Sequence, residues 1–182
     1  MLLHSKSKMF SLHQKMEIMD EADQVVYTVE SKVLSIHNTT YVHNAAGEQV
    51  AVITHKPISL HEVHDIELAD GEKIELRTEL MHFFDDVINL QGLGWQLRGD
   101  MLQHNYEILN ERGETVATTH QKWVSLHDVY YIDILDESQT DRVIAIYVAL
   151  EKIIRERENR RENETAGAAG AAAAVHQGQK DD

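Results

Sequence analysis

Short stretches of alternating apolar and polar residues fill the chain as far as Leu135. They are rich in β-branched and aromatic residues, which favour β-strands. Turn-forming residues separate them at positions 20–23, 44–47, 70–71 and 110–113. Asparagine, aspartate and glycine tolerate the positive φ angles that tight hairpin turns require. The pattern therefore predicts about twelve antiparallel strands.

A six-residue phrase, Lys-x-Φ-Ser-Φ-His with Φ apolar, recurs in the same region. Its copies span residues 8–13, 32–37, 56–61 and 122–127, and the first three begin 24 residues apart. A fixed period of that length indicates a repeated supersecondary unit. We expect each unit to be a hairpin, so that equivalent residues of the copies lie at the same end of the sheet.

The pattern changes after Leu135, because residues 143–150 form an uninterrupted apolar run. Because the run contains β-branched residues, a thirteenth strand is one possible interpretation. The length of the segment and its charged continuation instead favour a helix over about residues 139–163. Ser138 to Asp141 supplies an N-cap. A segment that is apolar around more than two helical turns needs burial on every side.

These two predictions fit one architecture. Eight strands form a barrel that side chains can fill, whereas about twelve leave room for a helix. The predicted fold is mainly β, a closed antiparallel barrel of about twelve strands around a buried C-terminal hydrophobic α-helix. This domain covers residues 1–154, and the charged end of the helix is exposed to solvent. Residues 165–182 are predicted to be a disordered Gly/Ala-rich tail.

Charge and composition restrict the class of protein. The chain has a formal net charge of −14 and no cysteine. An acidic surface repels phosphates, so nucleic acid is not an expected partner. The lack of cysteine excludes disulfides and thiolate metal sites. No apolar run reaches the ~18–20 residues of a transmembrane helix and the start has no signal-peptide core, so a cytoplasmic protein is expected.

Five segments resemble the LURP-one-related family of the tubby-like superfamily. They are Lys8–Leu12, Gly94–Met101, Asn105–Ile108, Val116–Trp123 and Tyr131–Ile134. The resemblance extends over about residues 2–154 and implies a twelve-stranded barrel enclosing a hydrophobic C-terminal helix. Distant relatives include tubby proteins, which bind phosphoinositides, and phospholipid scramblases. The resemblance thus implies recognition of a membrane lipid or phosphoinositide headgroup, although no basic patch matches the tubby lipid site residue by residue.

Histidine is abundant, with 12 residues, and four of them end the repeated phrase. The repeat places His13, His37, His61 and His127 on one rim of the barrel. There they could bind a divalent metal or respond to pH, or they could simply favour turns. Equivalent strands of neighbouring hairpins lie about 10 Å apart, so their histidines are too far from one another to bind one ion. No metal site is therefore predicted.

Four lysines begin the copies of the same phrase: Lys8, Lys32, Lys56 and Lys122. They would lie at one level of the barrel, either as a basic ring that binds an anion or as dispersed, solvated side chains that discourage edge association. No nucleophile elbow, P-loop, dinucleotide fingerprint or HExxH motif is present. We therefore predict no catalytic residue and no cofactor, and the sequence leaves the ligand-binding residues unknown.

The predicted function is a non-enzymatic binding module. By its resemblance, it recognises a membrane lipid or phosphoinositide headgroup and is cytoplasmic, peripheral to a membrane. The alternative is a protein-interaction or scaffold domain that uses its acidic surface. A metal-binding or enzymatic role is the third hypothesis, supported by the histidine count alone. The sequence thus leaves the partner open between a lipid headgroup and a protein.

Overall fold

Strands connected by short turns make up most of the chain. The computed structural model describes residues 1–6, 15–32, 38–58, 61–79, 87–124 and 127–177. Within these ranges it contains twelve strands and a long helix. They are β1 (Leu2–Lys6), β2 (Lys15–Asp20), β3 (Val25–Lys32), β4 (Thr39–Asn44), β5 (Gln49–Ile58), β6 (His61–Leu68), β7 (Lys73–Glu79), β8 (Val87–Gln91), β9 (Trp95–Asp100), β10 (Asn105–Leu109), β11 (Thr115–Val124), β12 (His127–Ile134) and α1 (Thr140–Gln177).

The strands form a closed antiparallel barrel. Each strand pairs with its neighbours in sequence, and β1 closes the sheet by pairing with β12, where Leu3 faces Ile132. This order gives the barrel two distinct ends. Connections from an even-numbered strand to the next odd-numbered one lie at one end, with the β12–α1 connection. The odd-numbered strands end at the opposite end of the barrel, which we call the loop rim.

The barrel interior is apolar over most of its length. Alternate residues of each strand point inward, because successive side chains of a strand lie on opposite faces. The fully buried inward residues include Leu3, Ile18, Val29, Val42, Ile53, Ile66, Ile74, Leu76, Leu97, Ile108 and Ile132. Nearer the loop rim the inward positions become polar. Ser31 hydrogen-bonds Thr40 across two strands, with 2.7 Å between their hydroxyl oxygens.

The first turns of α1 lie within this barrel. All eight residues from Val143 to Leu150 are at most 1% exposed. The Tyr147 hydroxyl lies 2.8 Å from the Ser5 hydroxyl, a buried hydrogen bond between the helix and an inward position of β1. The apolar run is thus buried on every side, as predicted. The Tyr147 hydroxyl is hydrogen-bonded in the polar part of the interior.

The predicted fold class is confirmed: twelve strands close around a C-terminal helix that is buried from Val143 to Leu150. The helix begins at Thr140 and continues to Gln177, beyond the predicted end. Alanine has the highest helix propensity, and the segment expected to be a tail is rich in it. Two compact units divide the chain, Met1–Leu150 and Glu151–Asp182. The predicted domain of residues 1–154 and the disordered tail stay predictions.

Candidate functional site

The end of the barrel opposite the loop rim is built from tight turns and the start of the helix. We call it the turn rim and define it as residues 20–24, 44–48, 68–72, 91–94, 110–114 and 135–142. Asp20, Asn44 and Asn110 close three of its turns in the same way. In each, a side-chain oxygen accepts the backbone N–H groups two and four residues later, at 2.9–3.0 Å. These bonds satisfy the turn backbone locally and hold the rim in one conformation.

Acidic side chains crowd the turn rim. Eleven carboxylates lie in it, against the cationic side chains of Arg112 and Arg142. The carboxylates are Asp20, Glu21, Asp23, Glu48, Asp70, Glu72, Glu111, Glu114, Asp136, Glu137 and Asp141. Because like charges on one face add, this rim attracts cations and repels anions at a distance of about one Debye length, ~8–10 Å at physiological salt.

Arg142 and Asp141 fasten the start of the helix to the rim. The Arg142 guanidinium donates to Glu72 on the β6–β7 turn, at 2.7 Å from Nε and 2.6 Å from a terminal nitrogen. It also lies over the Trp95 ring, 5.4 Å from the ring centroid. Asp141 accepts a 2.5 Å hydrogen bond from the Tyr27 hydroxyl. Burial and this carboxylate raise the pKa of Tyr27 well above its ordinary value.

Trp95 is buried and donates its indole N–H to Glu111, 3.1 Å away. A backbone hydrogen bond at Glu111, together with this indole, holds the pKa of the Glu111 carboxyl below its ordinary value. The carboxylate therefore stays charged at neutral pH. The hydrogen bonds that fix the rim also keep its negative charge in place.

Two cavities open on the turn rim, and Arg142 lines both of them. The first has a volume of about 570 Å³ and is lined by Val50, Leu68, Ala69, Asp70 and the segment from Glu137 to Arg142. The second measures about 330 Å³ and lies against Trp95, Glu111, Asp136 and Arg142. Both are concave, and both have carboxylates in their walls. Their size suits a side chain or a small polar group.

Comparison with known families identifies the relatives of this barrel. A family model described as LURP-one-related matches residues 1–151, which include all twelve strands and the buried start of the helix. The chain belongs to the LURP-one-related family. The resemblance stated from the sequence motifs is confirmed.

A solved structure shares the fold of this LURP-one-related chain. It is the X-ray structure of a protein from Arabidopsis thaliana, with a TM-score of 0.50 and 12% sequence identity. The alignment covers 84% of this chain and 91% of the Arabidopsis chain. At that identity the likeness supports the architecture alone. No curated protein matches the sequence. Among the residues that the structure describes, no helix is long and apolar enough to cross a membrane.

The lysines of the repeated phrase do not converge in the described part of this LURP-one-related barrel. Lys56 and Lys122 are exposed on β5 and β11, which lie on opposite sides of a twelve-strand barrel. Lys56 pairs with Asp65, and Lys122 lies 5.1 Å from the centroid of the Tyr131 ring. Lys32 is the last residue of β3. Lys8 lies outside the described residues.

The histidines of the phrase are placed in a similar way. His61 and His127 are the first residues of β6 and β12, at the loop rim and on opposite sides of the barrel. His13 and His37 lie outside the described residues. The structure instead brings together His55 and His64, which face inward on adjacent strands with parallel rings 4.7 Å apart. Both residues belong to one predicted hairpin, so their position as cross-strand partners could have been derived from the sequence.

Most described cations of the barrel wall and turn rim are paired with carboxylates. Six such pairs are Lys15–Glu30, Lys56–Asp65, Lys73–Glu67, Arg77–Glu75, Arg112–Glu114 and Arg142–Glu72. The hydrogen bond that Lys56 donates to Asp65 raises the pKa of Lys56, so this lysine stays charged with its partner. A paired cation contributes little net positive potential. Within the described residues of this family member, the concentrated charge is therefore the negative charge of the turn rim.

Proposed function

We propose that this LURP-one-related protein is a non-catalytic binding module that recognises a cationic partner, a protein segment rich in lysine and arginine, at its turn rim. The observation that carries the proposal is the concentration of eleven carboxylates on one rim, which two arginines and the N-terminal ammonium beside Glu137 cannot neutralise. The rim is preorganised by the hydrogen bonds of its turns, so little conformational entropy is lost on binding.

The interior of the barrel supports a surface role. Val143 to Leu150 fill the space between the strands, and each is at most 1% exposed. A lipocalin-like carrier needs that space for its ligand. Recognition is therefore better assigned to the outside of the barrel, where charged side chains are accessible.

Recognition of a lipid headgroup, predicted from the family resemblance, stays a prediction. An anionic headgroup needs several unpaired cations close together, each contributing about 1 kcal/mol near a membrane. The six paired cations of the barrel favour the protein partner over the lipid. The cytoplasmic location and the peripheral membrane association likewise stay predictions.

The proposal is tested with a fluorescent octalysine peptide as probe, by anisotropy at about 20 mM and about 150 mM salt. We expect binding that weakens with salt. In a first variant, Glu21→Lys and Glu114→Lys reverse two rim charges. In the control, Glu17→Lys and Glu107→Lys make the same charge change at exposed positions of β2 and β10. The rim variant should lose about tenfold in affinity, equivalent to ~1.4 kcal/mol, and the control much less.

Two results would contradict this proposal. One is octalysine binding that both double variants weaken equally, because overall charge rather than the rim would then explain it. The other is no octalysine binding together with salt-sensitive flotation on vesicles that contain phosphoinositides. That outcome would support the headgroup recognition predicted from the sequence.

A further inference from the structure

The larger cavity of the turn rim lies where the β6–β7 turn meets the start of α1. Its lining combines two kinds of surface. Val50 and Leu68 are apolar and 5% and 7% exposed, so they form the floor. Asp70, Glu137 and Asp141 supply carboxylates to the walls. A volume of about 570 Å³ is large enough to take one long side chain.

This combination matches the two parts of a lysine or arginine side chain. The aliphatic stem of such a side chain packs on apolar surface, while its charged head needs hydrogen-bond acceptors. Val50 and Leu68 provide the apolar surface for the stem, and the carboxylates provide the acceptors for the charged head. Two further polar residues of the lining, Ser138 and Thr140, offer hydroxyl oxygens as acceptors.

Three positive features at the same cavity would favour an anion, and together they are weaker than its carboxylates. The helix N-terminus begins at Thr140 and carries a partial charge of roughly +0.5. Arg142 also reaches the cavity, but its guanidinium is held by Glu72 at 2.6–2.7 Å. The N-terminal ammonium of Met1 pairs with Glu137 at 3.2 Å and removes one of the three carboxylate charges. Half a charge and a paired arginine do not balance the other two, Asp70 and Asp141. The cavity therefore selects a cation.

We infer that this cavity is the anchor site for one lysine or arginine side chain of the partner. This inference rests on the proposed function and adds its specificity determinant. The rim provides long-range attraction, and the cavity fixes the register of the bound segment by taking a single side chain. Acetylation of that lysine would remove its charge and release the partner from this site.

The repeat provides a matched pair of variants. Ala69 lines the cavity, and Ala45 occupies the equivalent position of the β4–β5 turn, 24 residues earlier. Ala45 is not among the residues lining either cavity. Ala69→Leu fills the cavity, whereas Ala45→Leu makes the same change in the same kind of turn. Neither substitution alters the charge of the rim.

The experiment measures octalysine affinity of the full chain for both variants at about 150 mM salt, with thermal melting to confirm folding. We expect Ala69→Leu to weaken binding about tenfold and Ala45→Leu to change it less than about twofold. Asp70→Asn and Glu137→Gln together should also weaken it more than Glu114→Gln with Glu21→Gln, which remove the same charge elsewhere on the rim.

A second measurement identifies the site directly. Titration of Nα-acetyl-lysine N-methylamide into the 15N-labelled chain should shift the backbone amides of Ala69 and Ser138. If octalysine binds the wild type and Ala69→Leu binds it equally well, the anchor site is wrong while the acidic rim stands. If octalysine does not bind the wild type, the proposed function fails, and this inference fails with it.

Discussion

At the scale of single residues, the contact between Tyr27 and Asp141 connects β3 to the first turn of the helix. Tyr27 is 7% exposed, and its hydroxyl donates to the Asp141 carboxylate at 2.5 Å. The two residues are 114 positions apart, so no local sequence pattern could predict their contact. A hydrogen bond to a charged acceptor contributes about 1.5–3 kcal/mol, enough to matter for a domain stabilised by about 5–15 kcal/mol.

Replacement of Tyr27 by phenylalanine tests this contact through pH. Because the folded-state pKa of Tyr27 is raised, the unfolded chain ionises first as the pH rises above about 10. The stability that Tyr27 contributes is therefore fully present below pH ~10 and is lost as the pH rises further. We expect Tyr27→Phe to lower the free energy of unfolding by about 1–3 kcal/mol at neutral pH and to reduce the alkaline decline.

The measurement is urea unfolding of wild type and variant at several pH values between about 7 and 11. Tyr41, on the neighbouring strand, provides the control substitution Tyr41→Phe. An equal alkaline loss of stability in wild type and Tyr27→Phe would show that the buried hydroxyl does not control this dependence.

At the scale of elements, the hairpin turns explain why the sequence repeats. Residues 20, 44 and 68 begin turns in which a backbone N–H of that residue donates to the carbonyl four positions later, at 2.9–3.0 Å. Residues 23, 47 and 71 then adopt positive φ angles of 57°, 79° and 88°. These positions preserve the 24-residue period seen in the sequence. The hairpin prediction succeeded because the turn, unlike a long-range contact, is encoded by adjacent residues.

A pair of glycines separates the cost of positive φ from the cost of a backbone collision. Gly47 has φ +79° and free space where a Cβ would lie, whereas a Cβ at Gly92 (φ +92°) would lie 2.5 Å from the Lys73 carbonyl oxygen. We expect Gly47→Ala to lower the free energy of unfolding by about 1–2 kcal/mol, because alanine is strained in the left-handed region. Gly92→Ala should cost at least ~2 kcal/mol more, because β7 and β8 must separate.

Chemical denaturation of the two variants measures this difference. The prediction is wrong if Gly92→Ala is no less stable than Gly47→Ala. A loss of cooperativity confined to Gly92→Ala would agree with it, since β8 is one of the shorter strands and pairs with β7 through Glu75–Gln91 and Leu76–Leu90.

At the scale of the whole molecule, the sequence predicted the architecture better than the candidate site. Twelve predicted strands and one apolar run with a helical N-cap are compatible with few folds. The closed barrel around a helix is the fold that the structure shows. The acidic rim was predicted only as a net charge, because its carboxylates come from separate segments of the chain. A signal existed in the acidic residues of successive turns, which an up-and-down order places at one end. The cavity beside Asp70 and Asp141 needed the helix position and could not be derived.

The buried part of the helix should decide whether the barrel folds at all. Val143, Ile144, Ile146, Val148 and Leu150 are each 0% exposed. Burial of such side chains contributes about 1.5–3 kcal/mol each, on the order of 10 kcal/mol together. That sum equals the whole stability expected of a domain, about 5–15 kcal/mol. Deletion of residues 139–154 should therefore abolish cooperative unfolding, and Ile146→Asp in the full chain should do the same by burying a charge.

Deletion of residues 165–182 is the matched truncation, and it should change the melting temperature little because this Gly/Ala-rich segment has few large apolar side chains to bury. Calorimetry and circular dichroism of the three variants measure the outcome. A cooperatively melting barrel without residues 139–154 would show that the strands close by themselves. The helix would then fill the interior without being required for folding. Destabilisation by deletion of residues 165–182 would instead extend the folded domain beyond residue 154, against the boundary predicted from the sequence.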